Sequence, residues 1–382
     1  MNIGILTFWQ TKDNYGQMLQ NFALQQKLRM LGHHPFLIRY AHSEARQTHI
    51  EDIVMNLLRR IKHWDFKTHK SLLFKTSEKD KQRMFEQFKD KHLEKTPRIY
   101  YSLKELQNSP PKADIYIVGS DQVWAKFLYV KENEVFFLNF GLPETVRLSY
   151  SASFGCTTYP DKIKNRLRKN LKRFQAISVR EETGKRIIED VGMNAKVVID
   201  PTLLLKSSEY ISYFNLSNKI NKKDRIYIYS VNINSPEEIG WQELQKELNY
   251  DTSNVVITPS SGYVDSAELF GKNVNYKYPT IEEWIDYIRT SKMVITPSFH
   301  GIVFCLIFHT PFIYIPLGGK MSSGNNRVLD LFHNLNIEDK IYSDKRTYHV
   351  LLTENNLNWI DIDRRLESLR MESISFLDKY IK

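Results

Sequence analysis

A chain of 382 residues exceeds one average domain and predicts two. Its hydrophobic fraction of 42% and charged fraction of 26% suit a globular protein and argue against long disorder. A net charge of +10 favours an anionic partner: a phosphorylated substrate, an acidic bilayer surface or nucleic acid. No zinc-finger, RNP-like or helix-turn-helix signature supports nucleic acid.

Met1 to Phe8 enters a strand directly, without the basic start and cleavage site of a signal peptide. No apolar run approaches the roughly 20 residues of a membrane helix. Cys156 and Cys305 adjoin apolar segments and read as reduced core residues of a cytosolic protein. The expectation is a cytoplasmic protein without a metal site, whose basic charge suits peripheral contact with the inner face of the cytoplasmic membrane.

Ile3 to Phe8 is the first strand, followed by a turn ending in Asn14, Tyr15 and Gly16. A helical pattern from Gln17 to Leu31 and a strand from Pro35 to Tyr40 complete a β-turn-α-β start. Its glycine spacing matches neither a dinucleotide fingerprint nor a Walker loop. Residues 43 to about 110 read as a charged, basic helical insertion, clearest over Ile50 to His63 and Thr76 to Leu93. Ile115 to Val118 is a buried strand running into Gly119, Ser120, Asp121 and Gln122, where ligands of open α/β sheets bind. Asp121 reads equally as a helix N-cap, and Trp124 as a core residue or a sugar-stacking ring. A strand pattern over Arg147 to Phe154 is followed by a basic helix, Asp161 to Phe174. Arg180 then falls at a strand end, as a fork for a carboxylate or phosphate or as an ion-pair partner of Glu181 or Glu182. Lys196 to Asp200 is the last strand of this half, stopped by Pro201.

A second strand series begins near residue 224: Arg225 to Val231, Val255 to Thr258, Asn273 to Tyr278, Met293 to Thr296 and Phe312 to Ile315. The predicted organisation is therefore two α/β domains, 1–212 with the insertion and 213–382, each with a parallel sheet flanked by helices. In the second, Met293 to Thr296, a turn, a helix opened by Gly301 and a further strand place His300 at the carboxyl end of the sheet. That histidine either caps the helix and packs, or serves an anion held by the helix N–H groups. The loop from Gly318 to Arg327 follows, so Lys320 and Arg327 can reach the same crevice. Trp359 to Ile381 is an amphipathic helix that can pack back across the lobes.

Taken in order, several motifs resemble the polysaccharide pyruvyl transferase family. They are Asn14-Tyr15-Gly16 with Leu19-Gln20 and Ala23-Leu24-Gln25, Gly119 to Trp124, Ser149 to Gly155, Ser178 to Glu182, Asp200-Pro201-Thr202, and Ser298-Phe299-His300-Gly301. The resemblance implies two Rossmann-like domains facing a cleft, as in two-lobed (GT-B-like) nucleotide-sugar glycosyltransferases. It also implies phosphoenolpyruvate as donor substrate, no further cofactor, and a sugar acceptor on a surface polysaccharide or its lipid-linked precursor, giving a pyruvate ketal. Arg180 matches the family's donor-binding arginine and His300 its candidate catalytic histidine. Where some relatives carry arginine and leucine before the histidine, this chain has Ser298 and Phe299, so Lys320 or Arg327 is expected to supply the charge.

Ketal formation needs an acid and a base, each contributing on the order of 10²–10⁴-fold. His300 is the expected acid and Asp121 the expected base. Arg180, Arg327, Lys320, Ser298, Gly301, Asn14, Tyr15, Gly16 and Ser120 are the expected substrate-binding residues. Two rival readings are a nucleotide-sugar glycosyltransferase on the same fold and a non-catalytic protein docking on anionic surfaces.

Overall fold

A computed structural model describes residues 1–11, 13–41, 81–125, 131–219, 222–260, 269–271, 273–354 and 356–381. Of the expected insertion, residues 42–80 lie outside these, and with them the helix expected over Ile50 to His63. The described remainder contains the helices Phe85–His92 and Leu103–Asn108. It is not purely helical as expected: Lys95 and Tyr100 form parallel bridges with Leu37 and Tyr40.

Two parallel sheets organise the chain. The first contains β1 (Asn2–Leu6), β2 (His34–Leu37), β3 (Ile115–Val118) and β4 (Val146–Ser149), in the order β2-β1-β3-β4. Bridges from Leu148 to Ala176 and from Ala152 to Val179 carry it on to the short pair β5 (Ser178–Val179) and β6 (Lys196–Val197). All four residues of β3 are buried, as β-branched and aromatic side chains in a central parallel strand must be. The second sheet contains β7 (Lys223–Val231), β8 (Val255–Ser260), β9 (Asn275–Tyr276), β10 (Ser291–Thr296) and β11 (Phe312–Tyr314). Its order is β11-β10-β7-β8-β9. Both sheets are thus Rossmann-like, flanked by helices. Each reverses strand order once, between β1 and β3 and between β7 and β10, and crevices open at the carboxyl ends of such strand pairs.

The halves share one buried core. Tyr210, in the helix Ser207–Tyr213, has its ring 6.5 Å from Phe22 and 5.0 Å from Phe304. Tyr15 is wholly buried at the junction, stacked on Trp284 at 5.1 Å, and its hydroxyl donates to the Pro279 carbonyl. Arg83 donates to that hydroxyl and to the Pro259 carbonyl. The last helix, Trp359–Tyr380, buries Ile362, Leu366, Arg370, Ser373 and Phe376 at helical spacing. It returns to the first half: Arg370 donates to the Leu203 carbonyl and the Ile199 N–H to Ser373 Oγ. Among the described residues no helix is long and apolar enough to cross a membrane.

Candidate active site

The strand ends of both halves meet at His300. β10 runs into Pro297 and Ser298, and the helix that follows is Phe299–Ile307, so it starts two residues before the glycine expected to open it. Ser298 is its N-cap: Ser298 Oγ accepts from the Gly301 N–H at 3.2 Å. That corrects two expectations. His300 does not cap the helix, and the Gly301 N–H is not free for an anion. Gly301 is required for another reason, since a Cβ there would lie 2.8 Å from Thr296 Cγ2.

His300 is 8% exposed and points into the first half. One edge of its ring lies against Gly16, where an added Cβ would fall 1.9 Å from Nδ1. Its Nε2 lies 3.5 Å from Asp200 Oδ2. Gly16 is held in place because Asn14 caps the helix Tyr15–Met30, Asn14 Oδ1 accepting from the Gln17 N–H. Gly16→Ala should therefore displace the imidazole or the helix. The loss should be about 1–3 kcal/mol by overpacking, with a fall in turnover, read by chemical denaturation beside an activity assay. Unchanged stability would mean that the ring moves freely.

Asp200, at the carboxyl end of the β6 segment, joins the site together. Its Oδ2 accepts from Arg180 Nη1 and Ser120 Oγ, each at 3.0 Å. Its Oδ1 accepts from the Thr202 N–H at 3.0 Å and from Thr202 Oγ1 at 2.7 Å. Thr7 Oγ1 donates to the Ser120 carbonyl, tying β1 to the turn after β3. Burial pushes the Asp200 carboxyl up, but His300, Arg180 and Thr202 outweigh it and hold it far below the usual carboxylate range. Burial opposes the charge on Arg180, yet Asp200, Glu181 and Asp121 together raise its pKa. The main ion-pair partner of Arg180 is thus Asp200, and Glu181 Oε2 stands 3.8 Å from its Nε.

Phe299 is a plate for two cations. The guanidinium carbons of Arg180 and Arg327 lie 5.2 and 5.3 Å from its ring centroid. Burial, then repulsion from Arg180, pulls Arg327 down to about 10, so it stays charged at neutral pH. Arg180 Nε and Nη2 and Arg327 Nε are buried without a hydrogen-bond partner among the described residues. Buried donors of this kind are normally satisfied, and guanidinium forks suit a carboxylate or phosphate; both arginines line one crevice, together with the carboxylates Glu182 and Glu372. That crevice is lined by Arg180, Asp200, Phe299, Arg327 and Asp330, hence by both halves.

The remaining candidates fall elsewhere or play other parts. Ser120 lies in the cluster. Asp121 is not an N-cap: it sits in a turn with φ 109°, a conformation strained for a residue with a side chain. Its carboxylate accepts from Gln17 Nε2 at 3.1 Å and the Gln122 N–H at 2.7 Å. Tyr15 is in the joint between the halves rather than in the crevice, because its ring is packed on every side. The backbone of Lys320 lies in the turn Gly319–Asn325, and its side chain lies outside the described residues. Trp124 is core, stacked on Phe137. Asp200, Phe299 and Glu181 stand in the motifs read from the sequence but are not among the expected site residues. An acidic residue at a strand end, followed by Pro201 and Thr202, is the one local signal that points to Asp200.

The chain is similar in structure to several sugar-nucleotide enzymes. UDP-N-acetylglucosamine 2-epimerase from Rickettsia bellii gives a TM-score of 0.49 at 10% identity, covering 100% of this chain and 96% of that one. The Neisseria meningitidis epimerase bound to UDP-GlcNAc gives 0.45 at 11%, covering 98% and 99%. An alpha-glucosyltransferase in complex with UDP gives 0.46 at 11%, covering 97% and 94%. Among curated proteins no match is found. The family described as polysaccharide pyruvyl transferase matches residues 14–318, a span that contains Gly16, Ser120, Arg180, Asp200 and His300 and stops short of Arg327. The chain belongs to the polysaccharide pyruvyl transferase family.

Proposed function

We propose that this protein transfers the pyruvyl group of phosphoenolpyruvate to a sugar of a surface polysaccharide or its lipid-linked precursor, forming a pyruvate ketal. The observation that carries the reading is the pair of arginines on Phe299, with three unsatisfied donor nitrogens beside the His300–Asp200 pair. Phosphoenolpyruvate carries a carboxylate and a phosphate, and two guanidinium forks suit both. Arg327 then supplies the charge that Ser298 and Phe299 lack.

The chemistry makes separate demands. A proton goes to the enol carbon, two acceptor hydroxyls lose protons, and the phosphate leaves protonated. His300, oriented by Asp200 and pressed on Gly16, is the acid for the phosphate. Asp121, held by Gln17 and Gln122, is the base for the acceptor hydroxyl. No additional cofactor enters this scheme. The acceptor is expected to be lipid-linked and met at the inner membrane face.

Thermal shift is the first test. Saturating phosphoenolpyruvate at about 100 times its Kd stabilises the protein by about 2.7 kcal/mol, and Arg180→Ala abolishes the shift. A shift with a nucleotide sugar instead identifies a glycosyltransferase. Phosphate release with a pyruvyl mass gain on one lipid-linked glycan completes the proof.

A further inference from the structure

Glu181 follows Arg180 in the chain but is used differently. It is 4% exposed, and its Oε1 accepts from Ser153 Oγ at 2.7 Å. Its Oε2 is buried with no hydrogen-bond partner among the described residues, and the Arg180 Nε beside it is 3.8 Å away, beyond hydrogen-bond reach. Gln122, Ser153, Gly155 and Arg327 line a crevice with it. Arg327 also lines the neighbouring crevice that holds Arg180 and Phe299. An anion on the two arginines therefore comes within one side chain's reach of Oε2. A purely structural glutamate needs only the Ser153 bond, and leaving a second buried carboxylate oxygen unpaired is costly.

We propose that Glu181 delivers the proton to the enol carbon of phosphoenolpyruvate, a role that rests on the reading that this substrate binds at Arg180 and Arg327. The Oε2–H bond breaks as the carbon–hydrogen bond forms from the enol electron pair, and methylene becomes methyl. One acceptor hydroxyl bonds to the adjacent carbon and loses its proton to Asp121. A second hydroxyl then bonds there as the carbon–oxygen bond to phosphate breaks, and His300 protonates the phosphate. Asp121, having released the first proton to solvent, takes that of the second hydroxyl and releases it likewise; two protons from solvent restore Glu181 and His300, so atoms and charge balance.

Electrostatics prepares the carboxyl for this. Burial pushes Glu181 above its ordinary range by more than Arg180, Ser153, Arg327 and the Phe154 backbone N–H pull it down. The thiol of Cys156 also faces it and is itself pushed up to about 11 by burial and by Glu181. Asp200, Asp121 and His300 act one residue further out, through the arginines. When phosphoenolpyruvate arrives, its charges occupy the two arginines and place like charge beside Glu181. Both effects favour the protonated acid.

Calorimetric titration with phosphoenolpyruvate near pH 8, above the phosphate's second pKa of roughly 6, in two buffers of different ionisation enthalpy counts the protons taken up. The wild type should take up at least about one per molecule bound. Glu181→Gln should take up about one fewer than the wild type, bind within about threefold of it and turn over about 100-fold slower. Uptake equal to the wild type's, or turnover within threefold, overturns the proposal. If Glu181→Gln does not fold, Ser153→Ala keeps the carboxyl and removes the bond that favours its ionised form. Uptake should then persist to higher pH than in the wild type, and an unchanged pH dependence also overturns the role. A wild type that does not bind phosphoenolpyruvate overturns the substrate reading, a result distinct from wild-type binding with no effect of Glu181→Gln.

Discussion

His300→Ala should lower turnover by about two to four powers of ten, the range of one general acid, while the affinity for phosphoenolpyruvate should change little. In the proposed reading the donor is held by Arg180 and Arg327, whose guanidiniums rest on Phe299 rather than on the imidazole. The fold survives because Asp200 keeps its bonds from Arg180, Ser120 and both donors of Thr202. The variant loses the packing of one buried ring on Gly16, a cost of the order of 1–2 kcal/mol. Steady-state kinetics with a denaturation curve on the same preparation separates the two effects. Turnover within tenfold of wild type would remove His300 from the chemistry.

Asp200→Asn should be strongly damaging, because that carboxylate is the hub of the cluster. It leaves Arg180, 6% exposed, without its main counter-charge. Breaking a buried pair in this way costs about 3–5 kcal/mol. It also removes the negative charge 3.5 Å from His300 Nε2, so turnover should drop by roughly tenfold or more even where the protein remains folded. The pH dependence is distinctive. The folded-state pKa of Asp200 is depressed, so its contribution is full above the unfolded value of about 3.9 and is lost as pH falls toward the folded value. The stability gap between wild type and variant should therefore narrow below about pH 4. Urea midpoints across this range check it. A gap that widens below about pH 4 would contradict the ion-pair account.

Much of this architecture is legible in the residues because parallel α/β units write themselves locally. Apolar strands such as Ile115–Val118 end at small polar turns, and helices begin and stop at caps such as Asn14 and Ser298. Those local signals predict two sheets with Ser120, Asp121, Arg180 and His300 at strand ends. Boundaries are less legible: the strand expected over Asn273 to Tyr278 shrinks to Asn275–Tyr276, the edge of its sheet, where pairing on one side alone limits its length.

The partners of those strand-end residues depend instead on long-range packing, within the first half and between the halves. Asp200 meets Ser120, Arg180 and His300 across 80, 20 and 100 positions of sequence, and no periodicity encodes such contacts. Phe299 reads as an apolar helix residue until two arginines from opposite halves settle on its ring. Tyr15 and Gly16 are neighbours in one motif, yet the docked halves send them to different work: Tyr15 into the joint, Gly16 against the imidazole. Local patterning reports which face a side chain takes and where a strand stops, because those depend on near neighbours. Which charges meet is set by long-range packing, and the pairing of His300 with Asp200 arises only there.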